Sequence, residues 1–308
     1  MSLALSVLPI ILTVAVGYIV VNSGVLPRDR WDGINALNFN ILIPATLIHA
    51  IATADLSHLA SGDWVIALLA TLGILAGVTI TLRFLINPTV LPNPSFSTLF
   101  QTTTRWNAFI GLAAADQLIG GNGIALLALG MAILIPVINV ANIVILVIFG
   151  TAQTSATKVA RSIMQNPLVI GCAVGLLINM VEIQLPVPVM SALDLISRAA
   201  LGIGLLAVGA GVALSRLFER SWKVWIGVFL RVGLAPAVFV VLAVGFQLSS
   251  GETLAGTLIF AVPAAANGYI VAQRMGGDAD LYADILTWQI FLSLAMLPVW
   301  AALVHLVR

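Results

Sequence analysis

The chain has 308 residues, of which 61% are apolar and 8% charged, with a formal net charge of +1 and a mean hydropathy of +1.13. A soluble domain carries roughly 25% charged residues, so this composition excludes one, and so small a net charge argues against a nucleic-acid partner. The single cysteine, Cys172, excludes an internal disulfide and reads as a buried, inert thiol.

Repeated apolar runs of about 20 residues predict transmembrane helices. The expected fold class is an all-α polytopic membrane protein with ten helices, over 4–22, 31–52, 63–86, 95–119, 123–150, 164–181, 190–214, 221–247, 252–274 and 279–307. No basic residue precedes the first run, which reads as a first helix rather than a cleaved signal peptide. Ser23-Gly24 and Pro27 close that helix and Asn87-Pro88 closes the third. Gly120-Gly121-Asn122-Gly123 separates the fourth from the fifth, and Gly276-Gly277-Asp278 the ninth from the tenth. Asn166-Pro167 opens the sixth with a cap and a first-turn proline.

Basic residues set the orientation. Arg28, Arg30, Arg83, Lys158, Arg161, Arg216, Arg220, Lys223 and Arg274 flank the odd-numbered connections, whereas the even-numbered ones carry Asp55, Asp63, Glu182 and Glu252. The positive-inside rule then places the odd loops in the cytoplasm and both termini outside. A multi-pass membrane protein with that sidedness is expected.

Pro9 to Gly17 (PIILTVAVG) aligns with Pro167 to Gly175 (PLVIGCAVG) at an offset of 158 residues. Asn22 and Asn179, Trp64 and Trp222, and Asn107 and Asn267 follow in the same order. Five helices per unit is an odd number, so the second copy enters the membrane from the opposite side, which is the inverted-repeat plan of many secondary transporters. The expected organisation is a first repeat over 1–150, a short cytoplasmic linker over 151–163 and a second, inverted repeat over 164–308.

Helices 4 and 9 hold equivalent places in the two repeats, and both carry residues that a lipid-facing helix avoids. In helix 9, Pro263 removes a backbone donor and frees the carbonyl of Ile259, and Asn267, Gly268, Tyr269 and Gln273 follow. In helix 4, Arg105 lies about ten residues, or ~15 Å, from the start, with Asn107 two residues on. A charge at that depth faces a cavity, a partner or a substrate; Arg105 matches either a substrate carboxylate, bound bidentately, or a structural partner elsewhere in the bundle. Two other arginines read as structural, Arg198 paired with Asp194 one turn earlier and Arg231 snorkelling to the cytoplasmic end of helix 8.

Asn139 and Asn142 in helix 5 are three apart and point at one neighbour, expected to be the helix 4 break. Asn35, Asn38 and Pro44 in helix 2 read as interhelical glue. Asp284 and Gln289 in helix 10 are candidate proton or ion ligands, with Asp284 alternatively set among the cytoplasmic headgroups, and His49 and His58 read as outer-surface residues. No phosphate-binding Gly-Lys-Ser/Thr loop, no metal-ligand spacing and no nucleophile–base pair is present, so no cofactor, no metal site and no enzyme is expected.

RWNAFIGLA at 105–113, IPVINVANIVIL at 135–146, NPLVIGCAVGLLIN at 166–179 and VPAAANGYIVAQRMGGDADLYADILTWQ at 262–289 resemble the auxin efflux carrier family, in particular its bacterial members. The resemblance covers essentially the whole chain. It implies two inverted five-helix repeats, a scaffold of helices 1, 2, 6 and 7, and a transport domain of helices 3–5 and 8–10 in which broken helices 4 and 9 cross. It further implies elevator-type movement, with efflux, of an auxin-like or small carboxylate, often by a homodimer among membrane lipid. Carried over, the crossover positions are Asn107, Gly111, Pro263, Asn267 and Tyr269. Plant members have a proline after the helix 4 glycine where this chain reads Gly111-Leu112-Ala113, so a gentler break is expected in helix 4.

The leading expectation is therefore a secondary carrier of a small organic anion, with Arg105, Asn139, Asn142 and the crossover residues around the substrate. An alternative is a sodium-coupled importer of the bile-acid symporter type, with Asn107, Asn267, Gln273 and Asp284 around the coupling ion, H+ or Na+. A membrane sensor or scaffold that moves no substrate is the third reading.

Overall fold

A computed structural model describes residues 3–55, 60–149, 157, 160–161, 164–218 and 221–307. Ser57, His58, Ser155, Lys158, Arg220 and most of the expected 151–163 linker lie outside the described residues. The described residues form helices and no strand: α1 (Leu3–Asn22), α2 (Arg28–Ala52), α3 (Gly62–Leu85), α4a (Asn93–Thr104), α4b (Ala108–Leu118), α5 (Gly121–Phe149), α6 (Pro167–Met180), α7 (Val187–Gly211), α8 (Trp222–Gly245), α9a (Ser250–Ala261), α9b (Gly268–Met275) and α10 (Ala279–Val307). Among them α1, α2, α3, α5, α7, α8 and α10 are seven helices long and apolar enough to cross a membrane, and α6 is a shorter apolar helix. They expose apolar side chains as freely as they bury them; Leu5, Leu12, Ile19 and Phe84 are all exposed. Such a surface suits hydrocarbon rather than water. The chain is a multi-pass membrane protein.

Local sequence accounts for the irregularities. α2 widens into a π-turn over Asn38–Leu42 just before Pro44, and α8 does so over Phe229–Leu234 just before Pro236. A proline ring cannot sit against the carbonyl four residues back, and a looser turn relieves the clash. The Val232 carbonyl, which Pro236 cannot serve, accepts a hydrogen bond from Trp300 Nε1 at 3.1 Å. Asn166 caps α6 as its sequence predicts, its side chain accepting from the Leu168 amide.

The chain divides into two compact units. Unit 1 comprises Met1–Ser61, Ala108–Ile133 and Ile163–Val212; unit 2 comprises Gly62–Asn107, Leu134–Ser162 and Ala213–Arg308. In unit 1, α1 packs on α7 and α6 packs on α2. Both contacts run through small residues. A Cβ on Gly209 would collide with the Val14 carbonyl and one on Gly171 with the Pro44 backbone, so the helix backbones touch. Asn38 acts as the expected glue, its Nδ2 donating to the Ala200 carbonyl at 3.3 Å, whereas Asn35 is exposed; Asn179 Nδ2 donates to the carbonyls of Ile51 and Ala54 at 2.9 and 2.7 Å. Cys172 is buried, its thiol against the Ala128 carbonyl.

In unit 2, α4a, α8 and α10 share a core of Phe96, Leu99, Phe100, Val224, Val228, Leu281 and Ile285. The ring of Phe239 stacks on that of Phe260, centroids 5.6 Å apart, joining α8 to α9a. α9a opens on a full capping box of Ser249 and Glu252.

Candidate substrate site at the helix breaks

Helix 4 is fully interrupted. α4a ends at Thr104, Arg105 turns extended with ψ 151°, and regular structure resumes only at Ala108. The expectation of a gentler break is therefore wrong, and the reason lies in the residues before it. Thr102, Thr103 and Thr104 each turn their hydroxyl back to a carbonyl of the preceding turn, a pattern that weakens continuation of a helix. The Asn107 amide then finds its partner outside the helix, the Pro263 carbonyl at 2.8 Å. Helix 9 breaks in the same conformation: Val262, 157 residues after Arg105, has ψ 155°, and α9b begins at Gly268.

Interruption leaves the last carbonyls of α4a and α9a without helical donors. Two side chains supply several of them. Arg231 on α8 donates to the carbonyls of Thr103 (3.2 Å), Ile259 (2.5 Å) and Val262 (2.8 Å), and so closes both half-helices at once. It is 0% exposed, so the expected snorkelling does not occur. The carbonyl that Pro263 frees at Ile259 holds this guanidinium inside the unit. Gln289 on α10 accepts from the Ala264 amide at 2.9 Å and donates to the carbonyls of Thr102 and Gly227 at 3.2 and 2.9 Å. Tyr282 completes the set, its hydroxyl donating to the Ala265 carbonyl at 2.6 Å.

Arg105 stands differently. It is 7% exposed, its Nη1 reaches Asn139 Oδ1 at 3.4 Å, and its Nε has no partner. No described carboxylate lies within ion-pair distance of it. The helix 5 amides meet the helix 4 break as their spacing predicts, Asn142 through Thr104 Oγ1 at 3.0 Å and Asn139 through Arg105. A buried guanidinium with a free donor, flanked by amides and broken backbone, has the chemistry to donate to an anionic oxygen.

The family model described as membrane transport protein matches this chain twice, over residues 3–158 and 151–301. The chain belongs to that family, the family of the auxin efflux carriers. A curated relative is the "Putative malonate transporter" of Rhizobium meliloti (strain 1021), 23% identical over 287 residues that cover 88% of this chain and 86% of the relative. The chain is a transporter and not an enzyme.

Within this transport protein the remaining predicted residues fall out unevenly. Asn107, 3% exposed, and Pro263 are buried at the joined breaks, whereas Asn267 and Gln273 are exposed. Tyr269 is half-buried against Ala264, Ala272 and Tyr282. Gly111 is buried in α4b, which belongs to unit 1. Asp284 accepts from Arg216 Nη1 at 2.7 Å. That hydrogen bond, opposed by partial desolvation and aided by Asp280, holds the Arg216 guanidinium above its ordinary pKa.

Tyr282 and Gln101 escaped the sequence reading. Gln101 is uncharged, one of a run of polar residues in α4a, and nothing in the sequence separates it from them. A second polar feature lies wholly within unit 1, a cavity of about 550 Å³ whose lining includes His49, Asp116, Asn122, Asp194, Ser197 and Arg198. Arg198 is paired with Asp194 there, as the i,i+4 spacing predicts, and His49 lines this cavity beside them.

Proposed function

We propose that the chain is a secondary carrier of a small organic anion, a carboxylate, bound at the joined breaks of helices 4 and 9. The observation that carries this reading is Arg105: a guanidinium in the apolar part of a membrane protein, with an unpartnered Nε and no acidic neighbour among the described residues. Helix C-termini carry roughly half a negative charge each, and Arg231 already lies against both. Arg105 is left as the positive charge to be balanced. The malonate named for the curated relative is a carboxylate of this kind.

The matching family model falls on each half of the chain, which supports two repeats of five helices. So does the exchange of partners in unit 1, where α1 packs on α7 and its repeat equivalent α6 packs on α2. In this reading α4a–α4b and α9a–α9b are single interrupted crossings and α6 is a short one, making ten. The division into two compact units supports an elevator-type cycle, in which one carries the anion and the other stays fixed in an inner membrane. Both termini face outward, and net movement is efflux.

Thermal stability of the purified protein against a panel of small carboxylates tests the reading. A ligand at a hundred times its Kd stabilises by about 2.7 kcal/mol, and that shift should vanish in Arg105→Ala. An equal shift in the variant would remove Arg105 from the site.

A further inference from the structure

The Gln101 side chain on α4a takes no part in closing the breaks. Gln101 lies four residues before Arg105, and the Arg105 amide donates to its carbonyl at 2.9 Å, so the two stand a turn apart on one face of α4a. Gln101 is 0% exposed, yet neither its Nε2 nor its Oε1 has a hydrogen-bond partner. Two other buried amides of unit 2 are engaged: Asn142 donates to Thr104 and Ile138, and Gln289 bonds through both its donor and acceptor atoms. A buried polar group left unpaired is costly enough that native structures rarely keep one without a use.

We infer that Gln101 receives the second carboxyl group of a short dicarboxylic acid, in its protonated form. This rests on the reading of Arg105 as the carboxylate receptor. A primary amide offers a donor and an acceptor side by side, and a neutral carboxyl group offers the complementary pair. Its O–H donates to Oε1 while its carbonyl accepts from Nε2. A carboxylate could use only Nε2 and would set its other oxygen against Oε1. The site therefore selects the monoanion, with the ionised end on Arg105 and the protonated end on Gln101.

The proton then travels on the substrate oxygen, and no protein carboxylate has to titrate. Several charged and titratable groups that neighbouring elements bring to α4a have other engagements, and Arg274 on α9b is exposed. Arg231 is bonded to three carbonyls, Tyr282 to the Ala265 carbonyl, Asp278 to Ser95 and Arg83 to Asn93, and on α10 Asp284 is held by Arg216.

Binding of malonate, its monoamide malonamate, and acetate to the purified full chain tests this, at pH values on either side of the second ionisation of malonic acid. Malonate affinity should rise as pH falls, following the monoanion. Malonamate keeps a fixed single charge and both hydrogen bonds, so it should bind with an affinity independent of pH and close to that of malonate at the lower pH. Gln101→Leu should weaken malonate and malonamate about tenfold, leave acetate unchanged, and leave the unliganded protein at least as heat-stable as before.

Malonate binding that tightens as pH rises, or an unchanged malonate-to-acetate ratio in Gln101→Leu, overturns the inference. If Arg105→Ala leaves acetate binding intact, the underlying carboxylate reading fails. If it abolishes acetate binding while Gln101→Leu changes no ratio, only the role of Gln101 fails.

Discussion

Three arginines fall well inside the expected helices, and their partners divide them. Arg198 takes its own neighbour, Asp194, four residues away. Arg231 takes carbonyls from two different half-helices, and Arg105 keeps an unpartnered nitrogen. Removing Arg231 leaves three buried carbonyls unserved, at about 1–3 kcal/mol each, so Arg231→Ala should destabilise the protein by at least about 3 kcal/mol. Arg231→Lys keeps a charge but loses the planar fork and should fall between. Melting of the two variants in detergent decides it; equal stability to the parent would mean that the carbonyls find other donors. Arg105→Ala should cost far less stability, because it leaves only Asn139 Oδ1 short of a partner.

Among the elements, the two breaks show how little a proline is required. Helix 9 has Pro263 at its break and helix 4 has no proline at its own, yet both turn extended at equivalent points. What the breaks share is an external supply of hydrogen bonds to the interrupted backbone, from Arg231 and Gln289. Gln289→Leu removes two of these bonds and a third to Gly227 on α8 and should destabilise by about 2–4 kcal/mol, taking each at about 1 kcal/mol or somewhat more when the partner is left buried. Pro263→Ala should cost under about 1 kcal/mol and leave the break in place, since the Ile259 carbonyl is already taken by Arg231. The ordering of the two melting points is the measurement; a Pro263→Ala protein less stable than Gln289→Leu would make the proline the cause of the break.

For the whole molecule, orientation rests on the basic residues of the odd-numbered connections. Cysteines placed at Ser57 and Ser155 should label from opposite sides of the membrane, residue 57 from outside. The native Cys172 is buried and should stay silent in that assay. Labelling of both from one side would break the ten-crossing plan.

The sequence by itself determined the membrane class, the family and the two interrupted regions. Hydropathy, loop punctuation and charge bias are sums over neighbours in the chain, and they do not depend on the fold. It also put Asn139 and Asn142 on one face of helix 5, because that spacing is local geometry. Only the tertiary structure decided which buried arginine is satisfied. The carbonyls that hold Arg231 come from 28, 31 and 128 residues away, and the one amide and two carbonyls that Gln289 bonds lie 25, 62 and 187 positions distant. Whether Gln101 has a partner is likewise a property of the space around α4a. A hydrogen bond requires two groups within about 3 Å, and for groups so far apart in the chain that proximity exists only once the helices have packed.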